Sequence, residues 1–174
     1  FQQNDEYVVT YNNVFLPKIG FGTAGLGFTK SYSSTFYALS KGFKMIDSAQ
    51  AKEWYLEEEI GRAFQDYIRQ TINDTSDTED EDFNLKYKDF RKQYKIVSKL
   101  HPRDFGYHKA INSIESTLRA FGTDYIDVFL LHAPSCWPEE NEEAPSSCRS
   151  QMGTNTWIDA YKGLEELYRR GKVK

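Results

Sequence analysis

Four residues of types that can hold or pass a proton are spaced along the chain: Asp47, Tyr55, Lys99 and His132. Three of them close short apolar runs. "FKMID" ends on Asp47, "YKIVSK" on Lys99 and "YIDVFLLH" on His132, and Tyr55 follows in the stretch after the first run. A carboxylate, an ammonium, an imidazole and a phenol brought to one place form a set suited to acid–base chemistry. Singly, each has an ordinary reading. Asp47 reads as a turn cap, Lys99 as a lysine snorkelling at a strand terminus, His132 as a satisfied core histidine and Tyr55 as a packing aromatic. At matching ends of successive strands, those separate readings no longer account for the pattern.

The elements that must position these side chains follow a regular order. "EYVVTYNNVFLP" alternates around Asn12-Asn13, a pair that tolerates left-handed turn conformations, and predicts a β-hairpin over 6–16. "KIGFG" then reads as a short buried strand and "TAGLG" as a glycine-rich loop. "SYSSTFYALSKG" reads as a helix capped by Ser31 or Ser33 and stopped at Gly42. "FKMID" is a second strand, and a loop over 48–55 leads to a helix over about 56–69. Ile60, Ala63, Phe64 and Tyr67 recur there at helical spacing. "YKIVSK" is a third strand, followed by a helix with Ala110, Ile111, Ile114, Leu118 and Phe121 near one face. "YIDVFLLH" is a fourth strand, and "NTWIDAYKGLEELYRRGK" a helix whose buried stripe is expected to be Trp157, Tyr161, Leu164 and Leu167. Strand and helix thus alternate four times, and apolar strands of this kind predict a parallel sheet buried on both faces. Loops that leave the C-terminal ends of such strands converge, which is where Asp47, Lys99 and His132 stand.

Two stretches interrupt the order. "NDTSDTEDED", residues 73–82, is acidic and holds no core-forming residue, so it reads as a solvated insertion loop or a partner-binding segment. Residues 135–153 form a long irregular loop after the fourth strand, at the end of the sheet where ligands bind. The glycines of "GFGTAGLG" precede no convincing dinucleotide-binding unit, and no phosphate-cradling glycine–lysine loop occurs.

Composition sets the outer bounds. A chain of 174 residues fits a single domain with a sizeable core. Apolar residues at 39% and aromatics at 16% indicate an aqueous globular protein in which Tyr and Phe supply much of the buried area. No apolar run approaches the ~20 residues of a membrane-spanning helix. A net charge of -4 without a basic stripe gives no reason to expect nucleic acid as a partner. Cys136 and Cys148 share one loop-like stretch, as a disulfide or as two thiols. The low cysteine count favours a reducing, cytoplasmic compartment. Because the chain begins with Phe1, organellar and secretory routes stay open, and the Asn73-Asp74-Thr75 sequon would matter only on the latter.

Six pieces of the chain resemble the aldo-keto reductases: "LPKIGFGT", "GFKMIDSAQ", "EEEIGRAF", "IVSKL", "IESTLRAFGTDYIDVFLLHAP" and "GLEELYRRGKVK". The resemblance runs from about Phe15 to the C-terminus apart from the two insertions, and Ile114 to Pro134 is its most specific part. It implies a (β/α)8 TIM-barrel type of fold and an NADPH-dependent oxidoreductase that reduces a carbonyl of a small molecule to an alcohol. It also implies a catalytic set of Asp47, Tyr55, Lys99 and His132. A phenol is a poor acid at neutral pH, with a pKa of about 10, and a neighbouring ammonium favours its ionised form. Asp47 would pair with Lys99, and neutral His132 would orient the carbonyl. Gly22, Thr23 and Asp47 would approach the cofactor.

The resemblance also brings departures. The family's tyrosine follows its aspartate by five positions, which here is Lys52. The loop "QAKEWYLEEEIG" is about two residues longer, and counting back from Gly61 lands on Trp54, so Tyr55 and Trp54 both stand as candidates. Ala24 replaces an aromatic found in many relatives. Only the first four βα units of a barrel of ~250 residues are expected in this chain, preceded by the hairpin. The later units, which carry the family's main grip on the cofactor, are not among them. A half-barrel leaves two apolar sheet edges and an uncovered concave face, which predicts a completing partner. That partner would be the rest of the same polypeptide, a second half-barrel chain or a larger assembly. A catalytically inactive structural subunit is the alternative to an enzyme, and a generic β/α domain for a phosphate-bearing ligand rests on fold analogy alone.

Overall fold

The computed structural model describes residues 6–72, 81–134 and 156–174. Tyr7–Val9 (β1) pairs antiparallel with Phe15–Pro17 (β2), with Val9 opposite Phe15. The connection over 10–14 is held by Thr10 N–H to Val14 O and Asn13 N–H to Thr10 O, both 3.0 Å. Asn13 alone of the asparagine pair takes a positive φ, 64°. The hairpin is therefore looser than a two-residue turn, and its strands reach one residue beyond the predicted end.

Phe21–Gly22 (β3), Met45–Asp47 (β4), Lys95–Leu100 (β5) and Val128–Leu131 (β6) form one parallel sheet in chain order. Ile126 adds a parallel bridge to Val173, with Ile126 N–H bonded to Lys172 O at 2.9 Å and Lys174 N–H to Ile126 O at 3.1 Å. Three of the strands are shorter than their apolar runs, while β5 keeps the expected six residues shifted by one. Gly22 lies opposite Asp47, Asp47 opposite Val97, and Lys99 opposite Leu130. Side chains alternate across a strand. Ile46, Ile96, Leu100 and Phe129 accordingly enter a core with the helices, while Asp47, Val97, Lys99 and Leu130 share the other face. On that face Leu130 is 45% exposed and Val97 only 9%, so among the described residues the side away from the helices is partly open, where the apolar strands had predicted burial on both faces.

The helices are Gly27–Ser40 (α1), Glu57–Thr71 (α2), Glu81–Arg91 (α3), Tyr107–Phe121 (α4) and Trp157–Arg169 (α5). Helix α1 begins upstream of both serines predicted to cap it. Gly25 and Gly27 take φ of 69° and 67°, turning the chain directly into the helix, and Ser31 lies inside it with its hydroxyl on Gly27 O at 2.7 Å. Helix α2 packs on α4 so closely that a Cβ on Gly61 would collide with the Ala120 carbonyl. Helix α5 meets α4 through small residues: a Cβ on Gly163 would stand 2.7 Å from Tyr107 O. Its buried stripe is therefore Ala160, Gly163, Leu164 and Leu167, and the predicted Trp157 and Tyr161 are exposed. Thr156 caps it in a reciprocal box with Asp159.

Helix α3 was not foreseen. It buries Phe83 and Arg91 and delivers Arg91 to the start of β6. The Arg91 guanidinium, 2% exposed, donates to Thr123 Oγ1, Tyr94 O, Tyr125 O and Asp127 Oδ2 at 2.8–3.0 Å. Asp127 Oδ2 also accepts from Ile96 N–H at 3.0 Å, and Lys95 reaches Oδ1 at 3.2 Å. The predicted loop over 135–153 with both cysteines, and the acidic insertion up to residue 80, lie outside the described residues; Glu81 and Asp82 open α3.

Candidate active site

Because β4, β5 and β6 run parallel in register, Asp47, Lys99 and His132 reach the same end of the sheet. The Lys99 ammonium bonds the Asp47 carboxylate and also donates to Ser48 O at 2.8 Å. Two acceptors fix the head of an otherwise flexible side chain. Asp47 is 43% exposed at its side chain, so water reaches the pair from the open face.

The loop after β4 places the aromatic. Tyr55 N–H and Trp54 N–H both bond Ala51 O at 2.9 Å, and Gly25 N–H bonds Trp54 O at 2.8 Å, tying this loop to the glycine turn after β3. The backbone so held turns Tyr55 inward and leaves Trp54 59% exposed. Lys99 Nζ stands 5.4 Å from the Tyr55 ring centroid, within cation–π range. The Tyr55 and His132 rings meet edge to face, with centroids 6.0 Å apart. All four sequence-predicted groups are thus gathered, and of the two candidates in the longer loop it is Tyr55 that faces the others.

Burial, and then the Lys99 charge, hold the His132 imidazole below its ordinary range, against smaller opposite pulls from Asp47 and Glu53. His132 is therefore neutral at physiological pH. Gly22 lies beside Asp47 with open space where a side chain would stand. Thr23, the other residue predicted to approach the cofactor, is fully buried. Both its N–H (3.0 Å) and its hydroxyl (2.9 Å) donate to Asp47 O, so it acts on the site through the Asp47 backbone.

Sequence reasoning missed the residues that hold the loop. Arg103, in the 3-10 turn Pro102–Asp104, donates to Gln50 O at 2.6 Å and faces Glu53 at 3.6 Å. His101 faces Glu53 at 3.2 Å. Behind β5, Ser98 and Thr117 hydroxyls donate to the two oxygens of Glu57 at 2.6 and 2.7 Å. Burial pushes that carboxyl up, against the downward pull of its hydroxyl donors. Of these residues Gln50, Glu53 and Glu57 stand in "QAKEWYLEEEIG", and no local pattern marked Ser98, His101, Arg103 or Thr117. Wide concavities lie elsewhere too, one of about 620 Å³ at the other end of the strands by Asn12, Phe15, Lys95 and Asp127, away from the gathered groups.

Residues 18–174 match the Aldo/keto reductase family. Among curated proteins, an uncharacterized oxidoreductase of Schizosaccharomyces pombe is 30% identical over 128 residues, covering 74% of this chain and 40% of its own length. Methylglyoxal reductase of Escherichia coli is 29% identical over 168 residues, 93% of this chain and 45% of its own. An aldo-keto reductase enzyme from a Medee basin deep-sea metagenome superposes with a TM-score of 0.65 at 28% identity, over 97% of this chain and 47% of that one. The chain spans less than half the length of each of these relatives.

Proposed function

Because the chain belongs to the aldo/keto reductase family, whose matched members here are oxidoreductases, we propose that it carries the proton-handling half of a carbonyl reductase. Its cofactor would be NADPH and its substrate a small carbonyl compound. The observation that carries this reading is the meeting of four groups at one sheet end: Lys99 on Asp47, Lys99 over the Tyr55 ring, and Tyr55 against His132.

The residues present suit the reacting end of a nicotinamide cofactor. Gly22 leaves a flat, unobstructed surface beside Asp47, where a planar ring can approach the strand ends. When bound, NADPH supplies the hydride to the carbonyl carbon. Tyr55 gives the proton that the developing alkoxide needs. Lys99 places a positive charge beside the ring that gives the proton, and Asp47 with Ser48 O keeps that charge in place. His132, neutral, hydrogen-bonds the carbonyl oxygen and sets its direction.

The same reading makes this chain the first four βα units of an eight-unit barrel. The remaining units would come from the rest of the same polypeptide, a second half-barrel chain or a larger assembly. The bridge from Val173 to Ile126 supports a sheet that accepts a fifth parallel strand beyond β6.

The test is made on the protein that contains this chain. NADPH binding is followed by tryptophan fluorescence, and NADPH consumption is measured with a panel of aldehydes and dicarbonyls. Tyr55→Phe is expected to lower turnover by about 10²–10⁴, the range for a lost general acid, while Trp54→Phe leaves it within a few fold. Carbonyl reduction that survives Tyr55→Phe would remove the proton donor. A protein that neither binds NADPH nor reduces any carbonyl would be a structural subunit on the same scaffold.

A further inference from the structure

Gln50 lies in the loop that carries Tyr55, is only 7% exposed, and has every polar group engaged. Its N–H donates to Lys99 O at 3.1 Å, and its carbonyl accepts from Arg103 at 2.6 Å. In the side chain, Nε2 donates to Ser113 O at 2.8 Å and to Thr117 Oγ1 at 2.9 Å, while Oε1 accepts from the Ser113 hydroxyl at 2.6 Å. Thr117 passes the chain on, donating to Glu57 Oε2 at 2.7 Å. An amide has two donors and one carbonyl oxygen, and here neither donor is spare.

From this geometry we infer that Gln50 is a positioning residue for Tyr55, an inference that rests on the reductase reading above. One residue joins three bodies: β5 at Lys99, helix α4 at Ser113 and Thr117, and the turn after β5 at Arg103. The loop between Asp47 and Gly61 is longer than the family's interval, so the aspartate alone does not determine where the tyrosine arrives. Gln50 takes over that task. It pins the loop midway, and the short turn from Ala51 to Tyr55 then delivers the ring to Lys99 and His132. The amide is required rather than any polar group, because the site asks for two donors and one acceptor in a single plane. A carboxylate would place an oxygen against the Ser113 carbonyl.

The test compares Gln50→Ala, Gln50→Glu and Ser113→Ala in the full protein, with two readouts. Hydrogen exchange is expected to accelerate at least tenfold in the peptide over 48–55 for both Gln50 variants, with the peptides of β5 and α2 unchanged. Turnover is expected to fall at least tenfold, with the KM for carbonyl and the affinity for NADPH each within threefold. Ser113→Ala, which removes one bond from the exposed side of the cluster, gives an intermediate result and serves where Gln50→Ala does not fold. Unchanged loop exchange, or exchange that rises equally throughout the chain, overturns the inference. So does full turnover in Gln50→Ala. A wild-type protein without carbonyl-reducing activity refutes the reductase reading instead, and loop exchange then decides by itself whether Gln50 fixes the loop.

Discussion

Replacing Arg91 by Met should destabilise the fold severely, and the structure sets how severely. The guanidinium is 2% exposed and makes four hydrogen bonds, to Thr123, Tyr94, Tyr125 and Asp127. Methionine fills much of the aliphatic volume but takes a donor from the Tyr94 and Tyr125 carbonyls and the charged partner from the buried Asp127 carboxylate. Breaking a buried pair from one side costs about 3–5 kcal/mol. Asp127 keeps Ile96 N–H at 3.0 Å and Lys95 at 3.2 Å, which limits the exposed charge and places the expectation near the low end, about 3 kcal/mol. With a urea slope of about 2 kcal/mol/M, the unfolding midpoint should drop by roughly 1.5 M, read by far-ultraviolet circular dichroism. Lys95→Met is the control. That side chain is 21% exposed and touches only the outer oxygen of Asp127, so its loss should cost about 1 kcal/mol or less. Pairing Arg91→Met with Asp127→Leu should restore part of the loss, because the stranded carboxylate goes with it. An Arg91→Met protein within about 1 kcal/mol of wild type, or a Lys95→Met protein equally weakened, would show that this buried network does not hold α3 to β6.

Lys99→Met should separate activity from stability. Its ion-pair partner is 43% exposed, so the fold should lose only about 1–2 kcal/mol, whereas turnover should fall about 10²–10⁴-fold; equal losses in both would count against a catalytic lysine. Gly61→Ala drives a methyl into the Ala120 carbonyl where α2 crosses α4, and should cost about 1–3 kcal/mol, visible as a lower melting temperature. His132 is held below its ordinary range mainly by burial, so the unfolded chain binds a proton more readily than the folded one. Its contribution to stability is complete above the unfolded value of about 6.5 and is lost as pH falls from there through the folded value. A His132→Gln protein should therefore lose less stability than wild type between neutral and acid pH, and identical acid-unfolding curves would contradict this.

The strand ends were the legible part of the sequence. Asp47, Lys99 and His132 each close an apolar run, and parallel register does the rest. Tyr55 against Trp54 was not legible, because a loop longer by about two residues can present either one. What decides is hydrogen bonding between segments distant in sequence, such as Gly25 to Trp54 and Gln50 to Ser113. Helix α3 went unseen for a similar reason. Its chief buried group is an arginine whose partner, Asp127, lies 36 residues on, and no local pattern announces a buried charge. In α5 the expected Leu164 and Leu167 are buried, but the large aromatics Trp157 and Tyr161 were given places that smaller residues take. Close helix approach selects Ala160 and Gly163, and the rings remain on the outside.

The strands of the sheet lie side by side in the order in which they occur in the chain. Each strand after the first pairs with the one before it, yet every pairing spans a helical crossover, as from Met45 to Lys95 and from Val97 to Val128. Pairings of this kind close long crossovers before their contacts can offset the lost chain entropy, so they form slowly. On the ribosome, Asp47, Tyr55, Lys99 and His132 would emerge in that order, while the sheet that gathers them would form as a unit. The gathered site would then close only after its histidine has left the tunnel, all four groups coming together in one late step.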